Sequence, residues 1–332
     1  MIVLAGDVGG TNARLALVDI DADSVKMLHI EKYPSPEYPG LEPVVQRFLA
    51  DTGGKPERAC YGIAGPVVDQ RVVTPNLSWT IDGAQLARET GIAHTQLIND
   101  FSAAGFGVRR LGTADVVTLQ DGARQEHGPI GLIGAGTGLG HGFVLWDGQY
   151  RVYASEAGHG AFAPRTALEW QLVEFLLKEF DRVSWERVVS GPGLAHLYRF
   201  LADSGYAPEQ QRVKAEMATE DPPAVVTRHG VAGSDRLCVK ALDMFVSAYG
   251  AQAGHLAITI VATGGIYIAG GIAPRIVEKL KDGTFMTAFK SLGRLAEFGA
   301  RVPVHVIMNP DVGLLGAATA AFESPTPQSP PA

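Results

Sequence analysis

The chain has 332 residues, of which 46% are hydrophobic and 19% charged, a composition typical of a globular protein with a sizeable core. At roughly 150 residues per domain, this length predicts two domains. The net charge is −7 and no basic run is longer than Arg109-Arg110, so we expect no nucleic-acid partner. Cys60 and Cys238 fit neither a zinc nor a disulfide pattern, and we expect both to be small buried residues.

The N-terminal segment contains Asp7 and Arg14 and does not resemble a secretory signal peptide, which predicts a cytoplasmic protein. One uncharged stretch of 18 residues, 256–273, is long enough to cross a membrane. Because it contains Gly264-Gly265 and Gly270-Gly271, we interpret it as the end of a buried helix, a turn and a buried strand. We therefore expect no membrane partner.

The first third of the chain alternates between strand and helix patterns. An apolar run predicts a strand at 2–4, a Gly-rich turn covers 6–11, and a second strand-like segment follows over 14–20. The next predicted elements are a helix at 44–49, a strand at 59–64, a helix over 82–90 capped by Asp82 and ended by Gly91, a strand at 97–98, and a helix from 101 to about 111.

A second strand, Gly-rich turn and strand are predicted at 130–133, 134–140 and 142–146. Residues 5–19 and 133–147 can be superposed without gaps. Two β-hairpins with Gly-rich tips, 128 residues apart, predict a duplicated domain. In the superposition Gly6, Gly10, Leu17 and Asp19 fall on Gly134, Gly138, Leu145 and Asp147.

Helix patterns dominate the rest of the chain, and the alternation of strands and helices predicts an α/β fold. The duplication predicts two lobes with a central cleft. The helices are expected over 169–180 after the capping box Thr166 to Glu169, over 236–258, from Pro274 to Gly283, and over 313–321. We expect a small domain over 1–110 and about 303–322, a large domain over 111–302, and a disordered Pro-rich tail over 323–332.

The segment from Gly6 to Arg14 carries a signal for phosphate chemistry. A Gly-rich hairpin tip lets backbone N–H groups approach phosphate oxygens, and Thr11 adds a hydroxyl donor. Asp7 would repel a polyphosphate unless Mg²⁺ lay between them, so it is a candidate for a metal–nucleotide contact. The tip Gly134–Gly138 repeats the pattern. An ordinary hairpin turn is the alternative interpretation of each tip.

A third Gly-rich element, Gly270-Gly271, lies between an apolar strand and a helix opened by Pro274. Such a strand–turn–helix unit suits an adenosine or ribose contact. The patterns G-x-x-x-x-G-K-[ST] and G-x-G-x-x-G are absent from the sequence, which disfavours Walker ATPases and standard dinucleotide enzymes.

Several polar residues have the chemistry that a sugar requires. Asp100 follows Asn99 at a strand end, where it could accept a proton from a substrate hydroxyl, and helix capping is the equally weighted alternative. Glu156 and His159 offer acceptors and a donor for vicinal hydroxyls. Glu186 adds a further carboxylate, although a single Glu in such a segment is typical of a solvated face.

Six motifs in this order resemble the bacterial glucokinase family, and the resemblance covers nearly the whole chain. It implies a duplicated hexokinase/actin-like (ribonuclease H-like) fold of two α/β domains with a central cleft. The motifs are G-D-V-G-G-T-N-A-R at 6–14, I-N-D-F at 98–101, the Gly-rich turn at 134–140, E-A-G-H at 156–159, R-V-V-S-G-P-G at 187–193 and A-G-G-I-A-P-R at 269–275.

The resemblance implies an ATP- and Mg²⁺-dependent kinase for the 6-hydroxyl of glucose, the first step of glycolysis, in an enzyme that is usually a homodimer. It makes Asp100 the catalytic base. The implied sugar contacts are Asn99, Asp100, Glu156, His159, Glu186 and Asn76. The implied nucleotide contacts are Gly6, Asp7, Gly9, Gly10, Thr11, Asn12, Arg14, Gly134, Gly136, Thr137, Gly138, Gly270 and Gly271, with Asp7 near Mg²⁺ through water.

Three departures and three alternatives accompany the resemblance. A related group of kinases has a zinc-binding Cys cluster after E-x-G-H, but 160–166 contains no Cys, which favours the zinc-free branch. Residues 201–235 match no part of the pattern, and Ala157 replaces a Gly of many members. A kinase for mannose, fructose or an N-acetylhexosamine is an alternative, as is ADP or polyphosphate as donor. A sugar-sensing regulator is disfavoured because no DNA-binding helix-turn-helix precedes the first strand.

Overall fold

The computed structural model describes residues 1–74 and 77–324, so the tail from 325 lies outside the described residues. The chain divides into two compact units. Unit 1 contains 1–115, 152–154 and the segment from 309 onward, whereas unit 2 contains 116–151 and 155–308.

The strands are β1 (Ile2–Val8), β2 (Asn12–Ile20), β3 (Val25–Pro34), β4 (Arg58–Ile63), β5 (Arg71–Val73), β6 (Thr80–Asp82), β7 (His94–Asn99), β8 (Val116–Gln120), β9 (Ile130–Ala135), β10 (Leu139–Trp146), β11 (Tyr150–Ser155), β12 (Gly265–Ala269) and β13 (Val304–Ile307). The α-helices are α1 (Leu41–Thr52), α2 (Gly83–Thr90), α3 (Asp100–Val108), α4 (Ala167–Leu176), α5 (Gly191–Asp203), α6 (Gln211–Thr219), α7 (Pro222–Ala232), α8 (Arg236–Thr259), α9 (Val277–Lys281), α10 (Thr284–Phe289), α11 (Ala296–Arg301) and α12 (Val312–Glu323).

The main sheet of unit 1 has the strand order β3-β2-β1-β4-β7. β1, β2 and β3 form antiparallel hairpins, and β4 and β7 run parallel to β1. Successive side chains of β1 point to opposite faces of the sheet and so enter two cores. Leu4 packs with α1 and α2, whereas Val3 and Ala5 pack with α12. Helices therefore cover both faces of this sheet.

Two glycines permit a close crossing of α3 and α12. A Cβ atom on Gly316 would overlap the carbonyl oxygen of Ala103, and a Cβ atom on Gly107 would overlap that of Val312. The small residues of α12 therefore serve backbone-to-backbone packing against α3, which fixes the start of α12 near the tip of the first hairpin.

The sheet of unit 2 has the order β11-β10-β9-β12-β13-β8. Its first five strands repeat the arrangement of unit 1, since β9 and β10 are antiparallel and β12 and β13 run parallel to β9. The repeat confirms the predicted duplication. The buried helix α8 packs on this sheet, where the Tyr249 hydroxyl accepts a hydrogen bond from Ala135 N (3.1 Å) and donates one to Ile133 O (3.2 Å).

The division of the chain differs from the predicted one near residue 303. Val304–Ile307 forms β13, which pairs with β12 and β8 and so belongs to unit 2. The chain returns to unit 1 only at Asn309, because the backbone pairing of β13 extends to Ile307.

Several local predictions are confirmed. Asp82 caps α2 by accepting hydrogen bonds from Ala84 N (2.9 Å) and Gln85 N (3.0 Å), and Gly91 ends the helix in a left-handed conformation. Cys60 and Cys238 are buried, and burial raises the pKa of both thiols. 

The uncharged stretch 256–273 ends α8, turns and forms β12, as predicted. Among the described residues, no helix has both the length and the apolar character needed to span a membrane.

Several predicted boundaries differ from the structure. The helix expected over 169–180 ends at Leu176. The helix expected from Pro274 begins as a 3-10 turn, and α9 starts only at Val277. The second Gly-rich turn is shorter than 134–140, because β9 continues to Ala135 and β10 begins at Leu139.

Candidate active site

The Gly-rich turn of unit 1 connects β1 to β2 and is held from two sides. Gly9 N donates a hydrogen bond to Asn12 O (2.9 Å), which closes the turn. Ser35 Oγ donates to Gly9 O (2.9 Å), and Ser35 N donates to Thr11 O (3.0 Å). Gly10 lies between these contacts. Sequence reasoning missed the buried Ser35, because its contact with the turn is formed only when β3 pairs with β2.

Gly6 lies within β1 and not in this turn. A Cβ atom on Gly6 would overlap the ring of Tyr61 on the neighbouring strand β4. The structure therefore explains Gly6 by packing, which leaves the exposed backbone of the turn to Gly9, Gly10 and Thr11 as the surface that a phosphate could reach.

Asp7 and Arg14 occupy paired positions in the first hairpin. Arg14 Nη1 lies 3.9 Å from Asp7 Oδ2 and donates to Pro310 O (2.8 Å), while Nη2 pairs with Asp311. Desolvation by surrounding protein atoms raises the pKa of Asp7, whereas Arg14 lowers it. Arg14 thus joins the hairpin to the segment before α12, so the structure gives it a structural partner besides any nucleotide.

The acidic groups near this turn fit Mg²⁺ that arrives with a nucleotide. Protein-bound Mg²⁺ is commonly held by one or two carboxylates together with substrate phosphates. In residues 1–74 and 77–324, no group of three or more His, Cys, Asp or Glu is arranged to hold a metal ion by itself. Asp7, a single carboxylate beside a Gly-rich turn, therefore suits a Mg²⁺ ion whose other ligands would be nucleotide phosphates.

Asn99 ends β7 and caps α3. Its Oδ1 accepts hydrogen bonds from Phe101 N (2.9 Å) and Ser102 N (3.3 Å), and its Nδ2 donates to Gly65 O (3.1 Å). The alternative that made Asp100 the cap is therefore wrong. Asp100 is the first residue of α3, is half-buried, and accepts a hydrogen bond from Phe101 N through Oδ1 (2.9 Å).

In unit 2 the structure brings together Glu156, His159 and Glu186. His159 Nε2 lies 3.8 Å from Glu156 Oε2, and His159 Nδ1 lies 3.7 Å from Glu186 Oε1. The His159 side chain is 56% exposed and that of Glu156 is 76% exposed, so both can reach a ligand. Two carboxylates on either side of one imidazole provide alternating acceptors and donors for adjacent hydroxyl groups.

Glu186 joins this cluster to the second Gly-rich turn. Its Oε2 accepts a hydrogen bond from Leu139 N (3.0 Å), and a Cβ atom on Gly138 would lie only 2.5 Å from Oε2. Glu186 N donates to Gly158 O (3.0 Å), which fixes the loop that carries His159. The interpretation of Glu186 as a solvated surface residue is therefore wrong, since its side chain is 30% exposed and anchored by the turn.

The Gly-rich turn of unit 2 lies against a helix start. Gly136 N donates to Gly138 O (2.8 Å), and Gly136 O accepts from Gly191 N, the first residue of α5 (2.8 Å). Thr137 is exposed at the tip, whereas Gly134 lies within β9. Exposed amides beside a helix N-terminus form an environment that favours anions.

The turn after β12 meets this second turn at one pocket. Gly270 has φ 82°, a left-handed conformation that glycine adopts without strain, and Ile272 N donates to Ala135 O (3.3 Å). The pocket has a volume of about 590 Å³, within the range of small-molecule sites. Its walls include Gly136, Thr137, Gly191, Gly271 and Arg275.

A further wall of this pocket comes from α7 and the residue that precedes it. Asp221, Thr227 and Arg228 line it. Sequence reasoning missed these residues, because 201–235 matches no motif. The only sequence signal is Pro222-Pro223 after Asp221, which predicts a helix start but not a ligand wall.

One predicted sugar residue, Asn76, lies outside the described residues, so its role stays a prediction. The other predicted residues fall into separate groups: the first hairpin and Asn99-Asp100 in unit 1, and the Glu156 cluster with the Gly-rich turns in unit 2.

Comparison with known proteins identifies the family. Residues 4–324 match the family model described as Glucokinase. The chain belongs to the glucokinase family. A glucokinase of Nostoc sp. is 46% identical over 338 residues, covering 96% of this chain and 98% of that protein. A glucokinase of Synechocystis sp. is 43% identical, covering 97% of this chain and 98% of that protein.

Solved structures share the fold. A glucokinase from an Antarctic psychrotroph has a TM-score of 0.87 at 30% identity, covering 97% of this chain and 99% of that chain. A ROK family glucokinase from Streptomyces griseus, solved in complex with glucose and AMPPNP, has a TM-score of 0.67 at 21% identity, covering 98% and 100%. The predicted hexokinase/actin-like fold with two domains is confirmed.

Proposed function

We propose that this protein acts as an ATP-dependent glucokinase, which transfers the γ-phosphoryl group of ATP to the 6-hydroxyl of glucose and gives glucose 6-phosphate and ADP. The cluster of Glu156, His159 and Glu186 carries the proposal, because it suits vicinal hydroxyls and is hydrogen-bonded to a Gly-rich turn at Leu139. Identities of 43–46% to cyanobacterial proteins named glucokinase support glucose as the substrate.

In this reaction Asp100 acts as the general base. The 6-oxygen of glucose attacks the γ-phosphorus, the bond to the bridging β–γ oxygen breaks, and the hydroxyl proton passes to the Asp100 carboxylate. Asn99 positions Asp100 by capping α3. Because Asn99 Nδ2 has two hydrogens and donates one to Gly65 O, the other is available for a sugar hydroxyl.

The nucleotide contacts are proposed from both Gly-rich turns. Backbone amides at Gly9 to Thr11 and at Gly136 to Gly138 would bind phosphate oxygens, and the pocket beside Gly271 would take the adenosine. Mg²⁺ would be held by the phosphates and by Asp7 through water, and it would neutralise charge on the transferred group.

The experiment is a coupled assay of sugar phosphorylation with Mg-ATP over glucose, mannose, fructose and N-acetylglucosamine. We expect strong turnover of glucose and little of the others. Glu156→Gln and Glu186→Gln should each raise KM for glucose, whereas Glu174→Gln on the exposed surface of α4 should not. A folded protein that phosphorylates none of the four sugars would overturn the proposal.

We further propose that the protein works in the cytoplasm, at the entry to glycolysis, as a homodimer. The resemblance to the bacterial glucokinase family supports the assembly, and the use of ATP supports the location. Light scattering on the purified protein should give twice the mass of 35.2 kDa. A monomeric mass at assay concentration would contradict the homodimer.

A further inference from the structure

Arg228 forms a wall of the 590 Å³ pocket that none of the predicted motifs explains. It lies on α7, and its side chain is 49% exposed. The rest of the pocket is built from the Gly-rich turns, the start of α5 and a second guanidinium group, that of Arg275. Arg275 belongs to the predicted A-G-G-I-A-P-R motif, whereas Arg228 gives the pocket an extended planar group from a segment without a motif.

The edges of the Arg228 guanidinium are occupied by two carboxylates. Nη1 donates to Glu220 Oε2 (2.8 Å), and Nη2 donates to Glu220 Oε1 (3.1 Å) and to Glu216 Oε2 (2.7 Å). Guanidinium N–H groups point outward in the plane of the group, so these bonds engage its edges and not its faces. The two carboxylates also neutralise its charge, which makes it a poor partner for phosphate.

Glu216 is itself held by groups on three sides. His229 Nε2 lies 2.7 Å from Glu216 Oε2, and Arg212 Nε donates to Oε1 (2.9 Å). The buried His229 is fixed in turn by Ser234 Oγ, 2.6 Å from Nδ1. Hydrogen bonds from His229 first, then Arg228 and Arg212, lower the pKa of Glu216 to about 2. Glu216 is thus ionised at physiological pH and holds Arg228 in one orientation.

Building on the proposed function, we propose that the face of the Arg228 guanidinium stacks on the purine ring of the nucleotide, so that Arg228 contributes to the affinity for a donor that carries a base. Guanidinium groups stack on aromatic rings, and such contacts are strongest where water is excluded. Phosphate binding is left to the amides of the Gly-rich turns, and Glu216 and Glu220 act as positioning residues.

The test compares wild-type protein with Arg228→Met and Arg228→Lys. We expect Arg228→Met to weaken ADP binding in calorimetry about tenfold, and to raise KM for ATP by a similar factor, as stacking of a cation on an aromatic ring predicts. KM for glucose and kcat should change by less than about twofold. Inhibition by inorganic tripolyphosphate, which has no base, should not change. Arg228→Lys keeps the charge but not the planar face, and should show most of the same loss.

Arg212→Met is the matched control, because Arg212 also pairs with Glu216 but does not line the pocket. It should leave nucleotide binding unchanged. Equal losses in Arg212→Met and Arg228→Met would show that Arg228 only links α6 to α7. Weaker tripolyphosphate inhibition in Arg228→Met would show a phosphate contact. Either of these results, or unchanged ADP binding in both Arg228 variants, overturns the stacking inference and leaves the proposed function standing. Wild-type protein that binds no ADP overturns the proposed function as well.

Discussion

Asp100 is the residue on which the proposed chemistry depends most. The sequence placed it at the end of a strand, but it could not decide between a base and a helix cap. The structure excludes the helix cap, because Asn99 caps α3 and Asp100 is the first residue of the helix. The role of Asp100 as a base stays a prediction.

We expect Asp100→Asn to fold and to bind glucose, but to lose about 10²–10⁴-fold in kcat, the usual contribution of a general base. The amide keeps the size of the side chain but cannot accept the hydroxyl proton. Coupled kinetics measure kcat, and calorimetry measures glucose binding. A variant that keeps more than about a tenth of the wild-type rate would contradict the role of Asp100.

His141 makes a pH-dependent contribution to stability. It is 1% exposed on β10, and burial lowers its pKa to about 4 from an ordinary value of 6.5. The unfolded chain binds a proton below pH 6.5, whereas the folded protein does not until about pH 4. The stability that His141 contributes is therefore present above pH 6.5 and is lost as the pH falls toward 4.

Between neutral pH and pH 4 we expect the free energy of unfolding to fall more in wild-type protein than in His141→Gln. The difference between the two decreases should be up to about 3 kcal/mol. Urea unfolding at a series of pH values measures the difference. His94→Gln, which replaces an exposed histidine, is the control and should follow the wild-type profile. Parallel profiles for wild-type protein and His141→Gln would refute this assignment.

At the scale of elements, the two Gly-tipped hairpins were predicted correctly because their turns and alternating strands are local signals. The close crossing of α3 and α12 was not predicted. Gly107 and Gly316 are more than 200 residues apart, and nothing in either helix alone indicates that their backbones meet. An Ala-rich helix in sequence therefore became a tightly packed support for the first hairpin.

We expect Gly316→Ala to destabilise the protein by about 1–3 kcal/mol or more, since its new methyl group would overlap the Ala103 carbonyl oxygen and force the helices apart. Gly112→Ala is the control, because a Cβ atom there would meet only Asp115 Oδ2 at 3.7 Å. Thermal and urea unfolding measure both. Equal stability of the two variants would show that α3 and α12 can separate without cost.

At the scale of the whole molecule, the residues that the proposed function uses are far apart in sequence. Asp100 belongs to unit 1, whereas Glu156, His159 and Glu186 belong to unit 2. A ligand that binds only the folded protein stabilises it by mass action, so sugar binding can be measured through unfolding.

We expect glucose at 100 times its Kd to stabilise the protein by about 2.7 kcal/mol, which raises Tm in a thermal unfolding experiment. Asp100→Asn should keep this shift, because the amide can still hydrogen-bond a sugar hydroxyl although it cannot accept the hydroxyl proton. Glu186→Gln should reduce it. A sugar that is not phosphorylated in the coupled assay serves as the control. An equal Tm shift with that sugar would show that the preference for glucose does not arise at the binding step.

The sequence alone determined the α/β class, the duplication and both Gly-rich turns, because strand periodicity, glycine turns and short motifs are local. It did not determine that Gly6 serves packing, that Glu186 is anchored to Leu139 N, or that β13 belongs to unit 2.

The tertiary structure alone decided which residues form the wall of the 590 Å³ pocket. Arg228 lies in 201–235, a region with no recognisable motif, and its orientation depends on Glu216 and Glu220. Side chains of this kind are placed by the packing of α6, α7 and α8, which bury apolar surface without a local sequence signature. Contacts between distant segments are set by the whole core, and for that reason they appear only once the chain is folded.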